Sequence, residues 1–231
     1  MDRAKVGRAV LVQTPWYGID NSYLVESRRR YPNRLSIVGY LPDPSSGNAV
    51  AELSKQILED RICGVRLHLL QRDLIARVRA GSASDLLDRA SEAGLPVALL
   101  YRDQKLHKLI HQLSQRHTRV QFVLDHMGHV TSKDDRAPLL SLAGRPNIFV
   151  KLSLHYRLSS EPYPWRDLWP LQRDLVKEFS PRRLMWGSNF PMHMNAIGYQ
   201  ERLQCVIAAL SWLPEEGRRQ ILGETAGALW R

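Results

Sequence analysis

Seven short apolar runs, separated by stretches with helical periodicity, restrict what this chain can fold into. They are Ala9–Gln13, Leu35–Leu41, Cys63–Leu69, Pro96–Tyr101, Val120–His126, Asn147–Ser153 and Leu184–Ser188. Most are nearly continuous in apolar character, the pattern of parallel strands covered on both faces. Helices fit between them. Ala49–Asp60 carries Leu53 and Ile57 four residues apart. Ser82–Ala93 opens on Ser82 and Asp85, a capping-box-like pair, and stops at Gly94. Asp103–Arg116 lines Leu106, Leu109, Ile110 and Leu113 along one stripe. Trp165–Phe179 and Tyr199–Trp212 follow the later runs, and a last helix starts at Pro214 or Glu215.

Repeated β-α units of this spacing predict an α/β fold with a parallel sheet and right-handed crossovers. No internal repeat or Gly/Ser-rich linker divides residues 1–231, so a single domain is expected. Seven units are one short of a TIM (β/α)8-type barrel, which typically takes about 250 residues. An incomplete barrel without its first strand is therefore the expected fold. An open doubly wound sheet is the alternative, but no Gly-x-Gly-x-x-Gly follows any run. The apolar fraction of 44% is ordinary for a globular protein, and no apolar run approaches the roughly 20 residues of a membrane span. Neither a membrane nor a secretory leader is expected, and the compartment read from this is the cytoplasm. Cys63 and Cys205 lack partners at zinc-finger spacing and read as buried free thiols. The net charge of +10 is scattered, with short clusters such as Arg28-Arg29-Arg30, so nucleic acid is not an expected partner.

Polar residues collect at the C-terminal ends of the runs, where α/β barrels keep their chemistry. In Gly64–Leu69, alternation places Arg66 and His68 on one face and Val65, Leu67 and Leu69 on the other. An arginine facing a barrel interior needs an anion, either a substrate carboxylate or a structural partner. His126 ends the fifth run, where a metal ligand or a general acid/base could sit. Lys151 and Ser153 share a face of the sixth run, followed by Tyr156 and Arg157. The seventh runs into Gly187-Ser-Asn-Phe-Pro191, which offers Asn189, an amide that cannot take a proton at neutral pH. Ser188 lacks a Gly-x-Ser-x-Gly elbow and reads as a turn residue. His107 and His111 lie four apart on a helix and read as a solvated face. His129, His155 and His193 follow strand ends and could reach the same mouth. Tyr163-Pro-Trp165 and Trp169 read as helix packing.

Taken in order, Ala9-Val-Leu-Val-Gln13 with Tyr17-Gly-Ile-Asp-Asn21, Gly64-Val-Arg66, Gly94-Leu-Pro-Val97, Leu124-Asp-His-Met-Gly128, Asn147–Ser153, Arg183–Ser188 with Pro191, and Ala226 form a specific set. The chain resembles the amidohydrolase-related group of TIM-barrel hydrolases, which includes lactonases and some aromatic-acid decarboxylases. The resemblance implies that His126 binds metal or polarises a scissile carbonyl. It implies that Arg66 meets a substrate carboxylate, and that Tyr17, Asn21, Tyr156 and Arg157 contact substrate. Asn189 falls where many members carry the aspartate that activates water.

The family's opening His-x-His pair occurs nowhere here. Three readings of that departure stand side by side: a shortened chain, a last strand that closes onto the first, or sheet edges paired with a second subunit as a homo-oligomer. The expected activity is opening of a lactone or similar cyclic ester of a small carboxylated or polyhydroxy compound. His126 and Asn189 would be at the reaction centre. Arg66, His68, Lys151, Ser153, Tyr156 and Arg157 would hold substrate, with Tyr17 and Asn21. One divalent ion, zinc or manganese, on His126 is one expectation and a metal-free site the other. A catalytically impaired binding protein, or a decarboxylase, are the alternatives.

Overall fold

The structure, a computed structural model, describes residues 1–231. From the N-terminus it runs β1 (Ala9–Val12), α1 (Ser22–Arg30), β2 (Leu35–Tyr40), α2 (Ala49–Leu58), β3 (Gly64–Leu69), α3 (Arg72–Arg79), α4 (Ser84–Glu92) and β4 (Val97–Tyr101). There follow α5 (His107–Arg116), β5 (Phe122–Leu124), α6 (Arg136–Ser141), β6 (Ile148–Leu152), α7 (His155–Leu158), α8 (Trp169–Phe179) and β7 (Leu184–Trp186). The chain closes with α9 (Tyr199–Ala209), α10 (Glu215–Arg219) and α11 (Thr225–Leu229). The strands form one seven-stranded sheet in the order β1 to β7. Pairing is parallel at β1–β2, β2–β3 and β6–β7, with Ala9 opposite Leu35, Val38 opposite Gly64 and Val150 opposite Leu184. Sequential parallel order is the topology of a (β/α)8 barrel with one strand fewer.

All seven predicted strands are present, each shorter than its apolar run. The fifth stops at Leu124 and the seventh at Trp186, because left-handed backbone at His126 and Asn189 breaks the pleat. Coverage on both faces holds for β3, where Val65, Leu67 and Leu69 are buried on one face and His68 is buried on the other, beside half-buried Arg66, but β1 is half-buried throughout. The capping box expected at Ser82 does not form. Helix α4 starts two residues later, with Ala83 at its N-cap and no side-chain cap bond. The predicted start at Trp165 also moves: a 3-10 turn, Arg166–Leu168, precedes α8. Four helices went unpredicted, namely α1, α3, α6 and α7.

The chain divides into two compact units. The first comprises residues 1–100, 112–122 and 230–231. Within it α2 packs on α4, and Leu53, Leu86, Leu87 and Ala90 are fully buried or nearly so. Trp230 lies against Gly64 so closely that a Cβ there would come within 2.3 Å of the indole. The second comprises residues 101–111 and 123–229. Within it α8 packs on β6 and β7 and buries Leu171, Leu175, Val176 and Phe179, each contributing about 1.5–3 kcal/mol. Cys63 and Cys205 are buried free thiols, held above the usual thiol range by burial. No helix is long and apolar enough to cross a membrane.

Candidate functional site

In the second unit the end of β5 turns the wrong way for an L-amino-acid chain. His126, Met127, Gly128 and His129 all have positive φ, at 57°, 51°, 65° and 53°. Each non-glycine residue in that region costs about 1–2 kcal/mol. The surroundings hold the turn in place. A Cβ on Gly128 would meet the Tyr101 hydroxyl at 2.9 Å and His107 Nε2 at 3.2 Å, so the backbone sits directly on that pair. Tyr101 and His107 are themselves linked at 3.1 Å and fully or almost fully buried. The side chain of Gln104 donates to the His129 carbonyl at 2.5 Å.

The turn aims two side chains. His126 is 7% exposed, and its Nδ1 is hydrogen-bonded to Ser153 Oγ at 2.8 Å. Asp125 is paired with Lys151 Nζ at 2.6 Å, with the carboxylate buried. Lys151 and Ser153 lie on one face of the β6 run, as alternation predicts, so β6 supplies both partners of the turn. Past β7, Gly187 makes room for them: a Cβ there would lie 2.9 Å from Lys151 Cδ and 3.4 Å from Ser153 Cβ. Asp125 is the residue that reading the sequence missed. A lysine inside a strand demands a counter-charge, and the acid beside His126 provides it.

A second group follows at the end of β7. Asn189, also left-handed at φ 53°, donates from Nδ2 to the Tyr156 hydroxyl at 2.8 Å. Exposed Arg157 stands 3.5 Å from Nε2 of exposed His193, whose ring lies 5.2 Å from that of Tyr156. Ser188 is a turn residue, its Oγ accepting from the Phe190 amide at 3.2 Å.

Two sequence readings of histidines need correction. His107 is not on a solvated face: it is 4% exposed, and burial pulls its pKa down to about 4. The predicted strip of leucines is real, but the helix is rotated enough to take His107 into the core. His155 does not reach an open mouth. It is 4% exposed, stacked on buried Trp165 at 6.0 Å, and burial lowers its pKa to about 4.

The remaining candidates belong to the first unit. His68 is buried with its ring 4.8 Å from that of Tyr40, and Arg66, on the same strand face, is half-buried. Burial raises the Tyr40 phenol, and the charge of Arg66 opposes that rise. Tyr17 is 59% exposed. Asn21 is 2% exposed and its amide is spent internally: Nδ2 donates to Gln56 at 3.0 Å and Asp60 at 2.9 Å, while Oδ1 accepts from Gln13 at 3.2 Å.

No three His, Cys, Asp or Glu side chains are grouped to hold a metal ion. His126 gives one ring nitrogen to Ser153, and position 189 offers an amide where an acid would bind a cation more strongly. Within residues 1–231 this donor set does not fit a resident catalytic zinc, which takes three protein ligands.

Sequential parallel strands with histidine, lysine and amide side chains at or just beyond their C-terminal ends define a protein of the TIM-barrel class. The chain belongs to the amidohydrolase 2 family, whose model, described as Amidohydrolase, matches residues 1–231. A 4-sulfomuconolactone hydrolase from Hydrogenophaga intermedia is 27% identical over 192 residues, covering 80% of this chain and 61% of that protein. An L-fucono-1,5-lactonase from Burkholderia ambifaria is 26% identical over 198 residues, covering 82% and 67%. A solved structure from Pseudomonas putida, assigned as a 2-pyrone-4,6-dicarboxylic acid hydrolase, is 27% identical. It superposes with a TM-score of 0.79 over 97% of this chain and 82% of that one. The matched segment thus spans 61% to 67% of the curated relatives' lengths.

Proposed function

We propose that this chain is a hydrolase that opens a lactone or similar cyclic ester of a small carboxylated or polyhydroxy compound. The observation that carries the reading is the His126–Ser153 pair, a buried imidazole hydrogen-bonded to a serine hydroxyl on a strained turn at a strand end. Two relatives named as lactone hydrolases support the substrate class. With the Ser153 hydroxyl donating to Nδ1, the imidazole carries its hydrogen on Nε2 and donates it to the ester carbonyl. That donor stabilises the oxyanion formed when water adds, and one such contact contributes about 3–4 kcal/mol. The carbon–oxygen ring bond then breaks, and the leaving alkoxide takes up the proton that the base removed from the water. Asn189, its Nδ2 engaged by Tyr156, presents Oδ1 to orient the water. His193, on the same loop, is the proposed acceptor of the water's proton. Arg157 is the proposed contact for a substrate anion. In the first unit Tyr17, Arg66 and His68 are proposed substrate contacts, whereas Asn21 acts through its internal network.

The test is turnover of a panel of carboxylated and sugar lactones by the purified chain and by His126→Ala. The expected result is a fall in kcat of about 10²–10³-fold with an unchanged circular dichroism spectrum. Equal rates in the two proteins would sink the assignment. The amide at position 189 favours a second reading, a binding protein on the same fold. Saturable lactone binding with no turnover by the parent chain would select it.

A further inference from the structure

Arg202, in the first turn of α9, is 3% exposed. All five of its N–H groups are directed at carbonyl oxygens of the segment between β7 and α9. Nη1 donates to Ser188 at 3.1 Å and to Asn189 at 3.2 Å. Nη2 donates to Ile197 at 3.1 Å and to Met192, and Nε donates to Ile197 at 3.3 Å. The guanidinium carbon also lies 4.5 Å from the centroid of the Tyr156 ring. Tyr156 is the residue that receives the carboxamide of Asn189. One cation therefore grips Asn189 twice, by its backbone oxygen directly and by its side chain through the phenol.

We propose that Arg202 is a positioning residue for the candidate site, setting both the left-handed backbone of Asn189 and the phenol that aims its amide. A buried guanidinium surrounded by dipoles is costly, and a loop could be anchored more cheaply by apolar packing. What the arginine adds is geometry. Its planar fork addresses four carbonyls at once while presenting a face to an aromatic ring, a combination that lysine, with three donors on a point charge, cannot reproduce. Its kinetic consequence rests on the lactone-hydrolase reading; its structural consequence does not.

Arg202→Lys, Tyr156→Phe and the double variant test the proposal by two independent readouts. The first is the Asn189 side-chain amide signal in a nitrogen–proton correlation spectrum. It is expected to shift and lose protection in Arg202→Lys and in Tyr156→Phe, with signals of the first unit in place. The second is turnover of whichever lactone the parent chain hydrolyses. Arg202→Lys is expected to lower kcat about 10–100-fold with KM within about threefold. Arg202→Lys is expected to cost much less when added to Tyr156→Phe, because the two act on one group. A lower melting temperature with unchanged Asn189 signals would overturn the proposal and leave Arg202 a purely structural clamp. Full multiplicativity of the two substitutions in kcat would overturn it equally. If the parent chain hydrolyses no lactone, the functional reading fails, and the amide signal alone decides the role of Arg202.

Discussion

Ser153 is a small hydroxyl with a large assignment, since its bond to Nδ1 helps fix the His126 ring, which also meets the His129 ring edge-on. Ser153→Ala removes about 1 kcal/mol of orienting interaction and leaves a buried ring nitrogen without that partner. The expected outcome is a kcat about tenfold lower on the lactone used for the parent, with urea stability reduced by less than about 2 kcal/mol. Steady-state kinetics and a denaturation curve on one preparation check both. This residue was legible before the structure, because period-two alternation in Asn147–Ser153 puts Lys151 and Ser153 on one face. Arg202 was not. Nothing in Tyr199–Ala209 distinguishes an arginine that faces inward from one that faces water, because its partners are backbone carbonyls, which carry no sequence signature. His107 misled for a related reason. A histidine beside an apolar stripe looks solvated until the hydroxyl it meets, that of Tyr101, is placed.

At the scale of elements, β6 and β7 run so close that Gly187 is a spatial requirement. A Cβ there would sit 2.9 Å from Lys151 Cδ and 3.1 Å from Cγ, and the lysine cannot swing aside without releasing Asp125. Gly187→Ala is expected to cost about 1–3 kcal/mol, the usual range for overpacking, measured as a lower urea midpoint with an unchanged slope. All seven strands were readable because each is an apolar run bounded by breakers. Their ends were not, because left-handed residues such as His126 are set by the contacts around them. The missed helices fail the periodicity rule for a physical reason. Helix α1, with sequence Ser-Tyr-Leu-Val-Glu-Ser-Arg-Arg-Arg, buries no residue completely, and α3 buries only Val78. Helix α1 thus lacks a buried apolar stripe, whereas α3 carries Leu74, Ile75 and Val78 on one face but is only eight residues long, too short for the period to stand out.

For the molecule as a whole, two of the four buried histidines, His107 and His155, contribute to the response to acid. His107 and His155 are held down to about 4 by burial, against an unperturbed value near 6.5. Between those values the unfolded chain binds protons that the folded chain refuses, so stability rises with pH there. The contribution is fully present above about pH 6.5 and is lost progressively as pH falls toward about 4, by a few kcal/mol per histidine. Urea midpoints measured from pH 7.5 to 4 are expected to fall steeply. His155→Phe, which keeps a ring against Trp165, is expected to flatten part of that slope; an unaltered slope would remove His155 from the account. The turn at residues 126–129 carries a different consequence for anyone who evolves this protein. A screen for heat resistance alone would find its gain at half-buried His129, where glycine relieves the backbone, and not at fully buried Met127, where the lost side chain outweighs that relief. The clones it favoured would be sturdier with a looser imidazole, so robustness and activity should be selected together.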